Sequence, residues 1–272
     1  MMNEDKIEDP KPLVTNLSKV DGQVGQKGHL HLITQTIRKI SEIFSEMGFE
    51  VVSGPEIEDE YHNFDALNIP KNHPARDMQD TFWLKPLLSS EHTDNLKKLL
   101  RTHTSPVQVR YMENNKPPFA IIVPGKVFRN EATDVTHDAQ FHQCEGLVVG
   151  ENITLANLKE TLETFFKKLF GKDVVIRLRP GYFSFVEPGV EVDMVCFRCK
   201  GKGCPSCSHS GWIEILGAGM VHPNVLNSCG IDSRKYQGFA FGIGVDRIIM
   251  LRHGLDDIRR LYSGDLKLVN QF

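Results

Sequence analysis

The stretch 125–146 combines cationic, carboxylate and aromatic side chains at spacings that could bring them to one surface. It reads GKVFRNEATDVTHDAQFHQCEG, with Arg129 and Glu131 in a segment that alternates apolar and polar residues. A strand over that segment would point both side chains the same way. A polar loop that carries His137 follows. The next predicted strand again places three side chains on one face: Phe141, Gln143 and Glu145.

An arginine, a second cation and a flat ring are groups that bind nucleotides. Arg129 offers a planar, permanently charged fork for a phosphate, His137 offers a second donor, and Phe141 offers a face for a base. A solvated hairpin with surface charges is the alternative that composition alone leaves open. We therefore interpret this predicted strand-loop-strand hairpin as a candidate nucleotide site.

Three segments together resemble a known enzyme family. FRNE, a loop with a histidine, and FHQ-EG resemble motif two of the class II aminoacyl-tRNA synthetases, in the form found in bacterial phenylalanyl-tRNA synthetase alpha subunits. A helical stripe over 30–48 and a short strand over 49–52, followed by Ser53-Gly54-Pro55, resemble motif one, an interface element in that family. The glycine-rich run 238–247 leads into a helix with Arg247 in its first turn and resembles motif three.

The resemblance covers about residues 28–272 and implies the α+β class II fold, an antiparallel sheet flanked by helices. It implies a phenylalanine–tRNA ligase alpha subunit that makes phenylalanyl-adenylate from phenylalanine and ATP and charges tRNA(Phe). The family acts as an α2β2 heterotetramer, so a beta subunit is the implied partner. Two rival functions are an adenylate-forming class II paralogue with a non-tRNA acceptor and a non-catalytic zinc-containing binding module. The second would be expected to lack Arg129 or Arg247, and both are present.

Site roles follow from the resemblance, residue by residue. The catalytic residues would be Arg129, His137 and Arg247, and Glu131 and Phe141 would join them in binding ATP with Mg²⁺. Phe141 and Arg247 would sandwich the adenine. The phenylalanine pocket would consist of nine residues: His103, Ser105, Gln108, Gln143, Glu145, Phe183, Phe185, Ala240 and Gly242.

Simpler roles remain open for several of these residues. Ser105 before Pro106 has the pattern of a helix cap, since serine is favoured at the N-cap and proline at the first helical position. Phe183 and Phe185 on one strand face are typical of a core. Glu187 matches a family carboxylate that helps hold a magnesium ion shared with the beta subunit, but it could be a plain surface acid. Metal binding by the acid-rich run 58–60 is disfavoured, because adjacent carboxylates splay apart.

The clustered cysteines predict a metal site. Two CxxC pairs separated by four residues can present four thiolates to one tetrahedral zinc ion: Cys196, Cys199, Cys204 and Cys207. Such a site leaves no open coordination position, so a structural role is expected. In a reducing compartment this cluster favours metal over disulfides. We expect a zinc-knuckle insertion over 196–211, at the tip of a hairpin between strands over 190–195 and 212–216.

Composition restricts the class of protein. The chain has 272 residues, 40% of them hydrophobic, which suits one large domain over 28–272. Residues 1–27 are polar and aperiodic and predict an extended or disordered lead-in. The sequence lacks a secretory signal pattern and a run of about 18 apolar residues, so we expect a cytoplasmic protein that is not inserted in a membrane. A net charge of −3 gives no overall signal for nucleic acid, and tRNA would bind a local patch.

Overall fold

The computed structural model describes residue 28 and residues 30–76, 80–85 and 97–272. The lead-in predicted over 1–27 lies outside the described residues. Within the described ranges, no helix is long and apolar enough to cross a membrane.

A mixed sheet forms the centre of the fold. The strands of the described residues are, in chain order, β1 (Glu50–Val51), β2 (Ile57–Asp59), β3 (Lys98–Leu100), β4 (Phe119–Phe128), β5 (Gln140–Gly150), β6 (Ile176–Phe183), β7 (Val186–Val195), β8 (Trp212–Val221) and β9 (Gln237–Gly244). The large sheet has the order β1-β4-β5-β9-β8-β7-β6, while β2 and β3 pair separately. Only β1 and β4 run parallel among these pairs. The predicted antiparallel sheet with flanking helices is confirmed.

Helices cover the sheet because strand side chains alternate between two apolar faces. The helices described are α1 (Leu32–Glu46), α2 (Glu60–Asn63), α3 (Ser105–Asn114), α4 (Leu155–Phe170), α5 (Pro223–Ser228), α6 (Val245–His253) and α7 (Leu266–Val269). Phe44 of α1 stacks on Phe165 of α4 and on Phe241 of β9, with ring centroids 4.6 and 5.4 Å apart. Ile121 and Ala240 belong to a second cluster, which includes residues of α3 and α5.

Several element boundaries differ from those predicted. The helix predicted from residue 30 begins at Leu32, because His31 accepts a hydrogen bond from Ile33 N and caps it. The predicted alternation over 127–131 is interrupted, because β4 ends at Phe128. Arg129 N still donates to Ala139 O at 3.0 Å, which carries the backbone pairing one residue beyond the strand. Gly171 is the C-cap of α4, with a φ of 112°.

Candidate active site

A cavity of about 420 Å³ lies beside β5, β8 and β9. All nine residues that the sequence suggested for phenylalanine line it, and so does Arg129. The antiparallel register explains part of this convergence: Glu145 pairs with Gly242 across β5 and β9, and Gly242 pairs in turn with Gly217 of β8. A Cβ at Gly242 would lie 3.3 Å from the Glu145 side chain, so glycine leaves that carboxylate its room.

A buried carboxylate organises the polar end of the cavity. Glu145 accepts hydrogen bonds from Thr104 N at 3.0 Å, Ser105 Oγ at 2.5 Å and Gln108 Nε2 at 3.2 Å. Burial raises the pKa of Glu145, and these donors oppose that shift. The prediction that Ser105 caps α3 is wrong: Thr104 occupies the N-cap position, and the Ser105 hydroxyl is directed to Glu145.

Two other polar groups beside Glu145 are buried without a hydrogen bond. Neither ring nitrogen of His103 is accessible to water, and neither makes a hydrogen bond. Gln143 Oε1 is likewise buried and has no hydrogen-bond donor. Burial lowers the pKa of His103 to about 3, and the nearby Arg129 charge adds to that shift. The His103 ring is therefore neutral near pH 7. Buried polar atoms left unpaired carry a free-energy cost that a polar ligand in the cavity would relieve.

The other end of the cavity is apolar. The rings of Phe183 and Phe185 stack with centroids 5.9 Å apart and line the cavity. Gly217 makes room for the first ring, since a Cβ there would come within 2.6 Å of Phe183 Cζ. Ala240 contributes a small side chain to the lining. The result is a space with aromatic walls and a carboxylate at its far end.

A smaller cleft of about 160 Å³ shares Arg129 with this cavity. Its lining includes every residue suggested for ATP: Arg129, Glu131, His137, Phe141 and Arg247. Arg129 donates through Nε to Thr102 O at 3.1 Å and lies 3.9 Å from Glu131. Its guanidinium also lies over the Phe141 ring, 5.0 Å from the centroid. A base that stacks on Phe141 must therefore use the other face or displace the guanidinium.

The loop between β4 and β5 is held by Asp134, which the sequence analysis did not identify. Its carboxylate accepts from the backbone N–H groups of Thr136 and His137 at 2.7 and 2.8 Å and contacts the His137 ring at 3.0 Å. The Thr136 and His137 donors hold the pKa of Asp134 well below its usual range. Asp134 thus orients His137 in a loop that is otherwise exposed. The D-x-T-H spacing is typical of an Asx turn and could have indicated this role.

The four clustered cysteines could hold a metal ion. Their ligand atoms lie within 4.8 Å of one another, at the tip between β7 and β8 where the insertion was predicted. Backbone N–H groups of Gly203 and Gly211 donate to Cys199 Sγ and Cys207 Sγ at 3.2 and 3.3 Å. Although burial opposes it, N–H donors lower the pKa of Cys207 to about 6, which favours the thiolate that binds metals.

The acidic segments differ from the expectation. Glu58, Asp59 and His62 lie within 4.8 Å of one another rather than splaying apart, because Asp59 caps α2 and accepts from His62 N. Arg110 already pairs with Glu58, with two nitrogens donating to its carboxylate, so this cluster is an ion-pair network. Glu187 is exposed and does not line either of the two cavities described above.

Comparisons with known proteins agree with this geometry. The model of the tRNA synthetases class II core domain (F) matches residues 16–272. Alpha subunits of phenylalanine–tRNA ligase from Streptococcus agalactiae and Staphylococcus carnosus are 56% and 57% identical over 90% of this chain, which covers 69% and 67% of those proteins. Pyrrolysyl-tRNA synthetase from Desulfitobacterium hafniense shares the fold, with a TM-score of 0.61 and 18% identity over 84% of this chain and 72% of that one. The chain belongs to the class II synthetase family of phenylalanine–tRNA ligase alpha subunits.

Proposed function

We propose that the chain activates phenylalanine with ATP and transfers the phenylalanyl group to tRNA(Phe), as the alpha subunit of a two-subunit enzyme. The observation that carries this proposal is the position of Arg129. It lines both the cavity with aromatic walls and the smaller cleft. A group there lies where an amino-acid carboxylate and a nucleotide phosphate would meet.

Phenylalanine would bind with its ring between the apolar walls and its ammonium at the polar end. Phe183 and Phe185 would pack against the substrate ring, and aromatic pairs of this kind add about 1 kcal/mol beyond simple burial. The neutral His103 ring and Gln143 Oε1 can each accept from the ammonium, which would satisfy atoms that are now unpaired. Ser105 and Gln108 hold the Glu145 carboxylate in place, and Glu145 supplies the opposite charge.

The first reaction step needs no protein nucleophile. The substrate carboxylate oxygen attacks the α-phosphorus of ATP, a new P–O bond forms, and the bond to pyrophosphate breaks. Arg129 and His137 would stabilise the charge that builds on the α-phosphate, while Phe141 and Arg247 hold the adenine and Glu131 orients Arg129. Magnesium, which class II synthetases use with ATP, would neutralise phosphate charge when bound.

Two features support the proposed partner and metals. The exposed carboxylate of Glu187 lies outside both cavities, which suits a magnesium ion shared with a beta subunit. Cys196, Cys199, Cys204 and Cys207 offer one thiol for each position of a tetrahedral metal ion, which suits a structural zinc ion. Metal analysis should find about one zinc per chain in the parent and none in Cys199→Ser. A zinc content near zero with four free thiols in the parent would contradict the assignment.

Phenylalanine-dependent exchange of labelled pyrophosphate into ATP tests the first step. We expect exchange with phenylalanine and little with tyrosine, because the apolar end of the cavity offers no partner for a hydroxyl and an unpaired hydroxyl costs about 1 to 3 kcal/mol. Acylation of tRNA(Phe), measured with and without a beta subunit, tests the second step. Absence of phenylalanine-dependent exchange, both with and without a beta subunit, would overturn the proposal.

A further inference from the structure

One nearly buried residue in the lining of the cleft takes no part in the steps above. Asp246 precedes Arg247 in α6 and is 2% exposed. Its Oδ1 accepts from the Tyr262 hydroxyl at 2.5 Å, and its Oδ2 accepts from the backbone N–H of His142 at 2.7 Å. The Tyr262 hydroxyl lies 3.1 Å from His142 Nδ1, and the two rings are parallel within 7°. Since Tyr262 donates to Asp246, its oxygen can accept from His142 Nδ1–H.

These contacts join the elements that carry the cleft. His142 lies between Phe141 and Gln143 on β5, and Asp246 adjoins Arg247 at the start of α6. Tyr262 follows the 3-10 turn Ile258–Leu261. Ile258 N in that turn donates at 3.0 Å to Val135 O, in the loop that also carries His137. The Tyr262 hydroxyl therefore connects the strand to the helix, and the neighbouring turn is bonded to the loop.

We propose that Tyr262 is a positioning residue for the nucleotide, because its hydroxyl, acting through Asp246, fixes the separation of Phe141 and Arg247. The inference rests on the function proposed above, in which these two residues hold the adenine. Phe141 precedes His142, whose N–H is bonded to Asp246, and Arg247 follows Asp246 directly. Movement of the Asp246 carboxylate would therefore shift both residues.

The energetic reason lies in the burial of the carboxylate. Without the tyrosine hydroxyl, Asp246 Oδ1 would be a buried acceptor with no donor, a state that costs free energy and drives rearrangement. The start of α6 depends on the contacts of Asp246, because its N-cap is Gly244, which has no side chain to cap the helix. A shift there moves Arg247 relative to Phe141. This shift does not change the three hydrogen bonds to Glu145, because their donors are Thr104, Ser105 and Gln108.

Tyr262→Phe tests the proposal because it removes the hydroxyl and keeps the ring beside His142. We expect the Kd of ATP, measured without phenylalanine so that no turnover occurs, to rise about tenfold. The Kd of phenylalanine should change by less than about twofold, because the other cavity is unaffected. Tyr111→Phe is the matched control: it also removes a hydroxyl bonded to a carboxylate, Glu50 at 2.8 Å, but it lines neither cavity. We expect no change in either Kd for this control.

A double-mutant cycle with Asp246→Asn makes the test sharper. Asp246→Asn should weaken ATP binding by itself, and adding Tyr262→Phe should then have little further effect, because both act through one carboxylate. Additive losses, an equal loss for both ligands, or a lower melting temperature with both affinities unchanged would each overturn the proposal. If the parent itself binds no ATP, the proposed function fails instead, so the two failures are distinguishable.

Discussion

The cavity with aromatic walls and the smaller cleft share Arg129 but hold their charges in different ways. In the cavity, Glu145 is buried and accepts from three donors before any ligand arrives. In the cleft, His137 is 57% exposed and its partner Asp134 is 55% exposed. A preformed, enclosed charge discriminates among small ligands, whereas exposed charges on a loop can close around a large anionic one. We infer that specificity resides mainly in the cavity and phosphate chemistry mainly in the cleft.

The largest expected effect comes from the residue common to both regions. Arg129→Ala should lower the rate of pyrophosphate exchange about a hundredfold or more, since one donor to a transition-state charge is worth roughly 3 kcal/mol. The melting temperature should change little, because the side chain is only partly buried. Arg129→Lys is the control, because it keeps the positive charge but removes the planar guanidinium group. A wild-type exchange rate in Arg129→Ala would show that the two regions do not share this residue in the reaction.

The second prediction acts on the cavity alone. Glu145→Gln replaces one carboxylate oxygen with an NH2 group that faces donors, so at least one of its hydrogen bonds is lost. We expect phenylalanine binding to weaken by about 2 kcal/mol, or roughly thirtyfold, while the Kd of ATP is nearly unchanged. Isothermal titration of each ligand measures both constants. Glu131→Gln makes the same chemical change in the cleft, and the comparison would fail if the two variants behaved alike.

The third prediction uses the low pKa of His103. The unfolded chain binds a proton at this ring near pH 6.5, but the folded chain does so only near pH 3. The free energy of unfolding therefore decreases as the pH falls from about 6.5 towards 3, and it increases again as the pH rises. Between pH 7 and pH 5, the free energy of unfolding of His103→Gln should fall by about 1 to 2 kcal/mol less than that of the parent.

Urea denaturation at the two pH values measures this difference. The same substitution at His137, in the cleft, controls for the loss of a histidine elsewhere in the site. An equal pH dependence in the parent and in His103→Gln would show that the ring is hydrated, and that the cavity is less enclosed than described.

The smallest expected effect concerns the apolar end of the cavity. Ala240→Gly should admit para-substituted phenylalanines, because it removes a side chain from the lining. We expect a gain of a few-fold in exchange with para-chlorophenylalanine, against a stability cost of about 1 kcal/mol for glycine in a strand. Ala120→Gly in β4, outside that lining, is the matched control. If the parent and Ala240→Gly use the analogue equally, Ala240 does not limit the depth of the pocket.

Local periodicity accounts for what could be predicted from the sequence. The period of two on β5 correctly placed Gln143 and Glu145 in one cavity, and the CxxC spacing correctly grouped four thiols. The contacts that were missed join segments far apart in the chain. Ser105 fits a cap pattern locally, yet its hydroxyl bonds Glu145, 40 residues away. Tyr262 lies 120 residues from His142, and no local pattern encodes that pairing.

The two outer strands of the sheet have a consequence for association. β1 is two residues long, and β6, at the opposite edge, contains Pro180, which has no N–H to offer a further strand. Arg177 and Arg179 on β6 keep their side chains 43% and 40% exposed. A short edge, a missing donor and paired cations all discourage another chain from extending the ladder. Both edges of the sheet are therefore poorly suited to pairing with a strand of another chain.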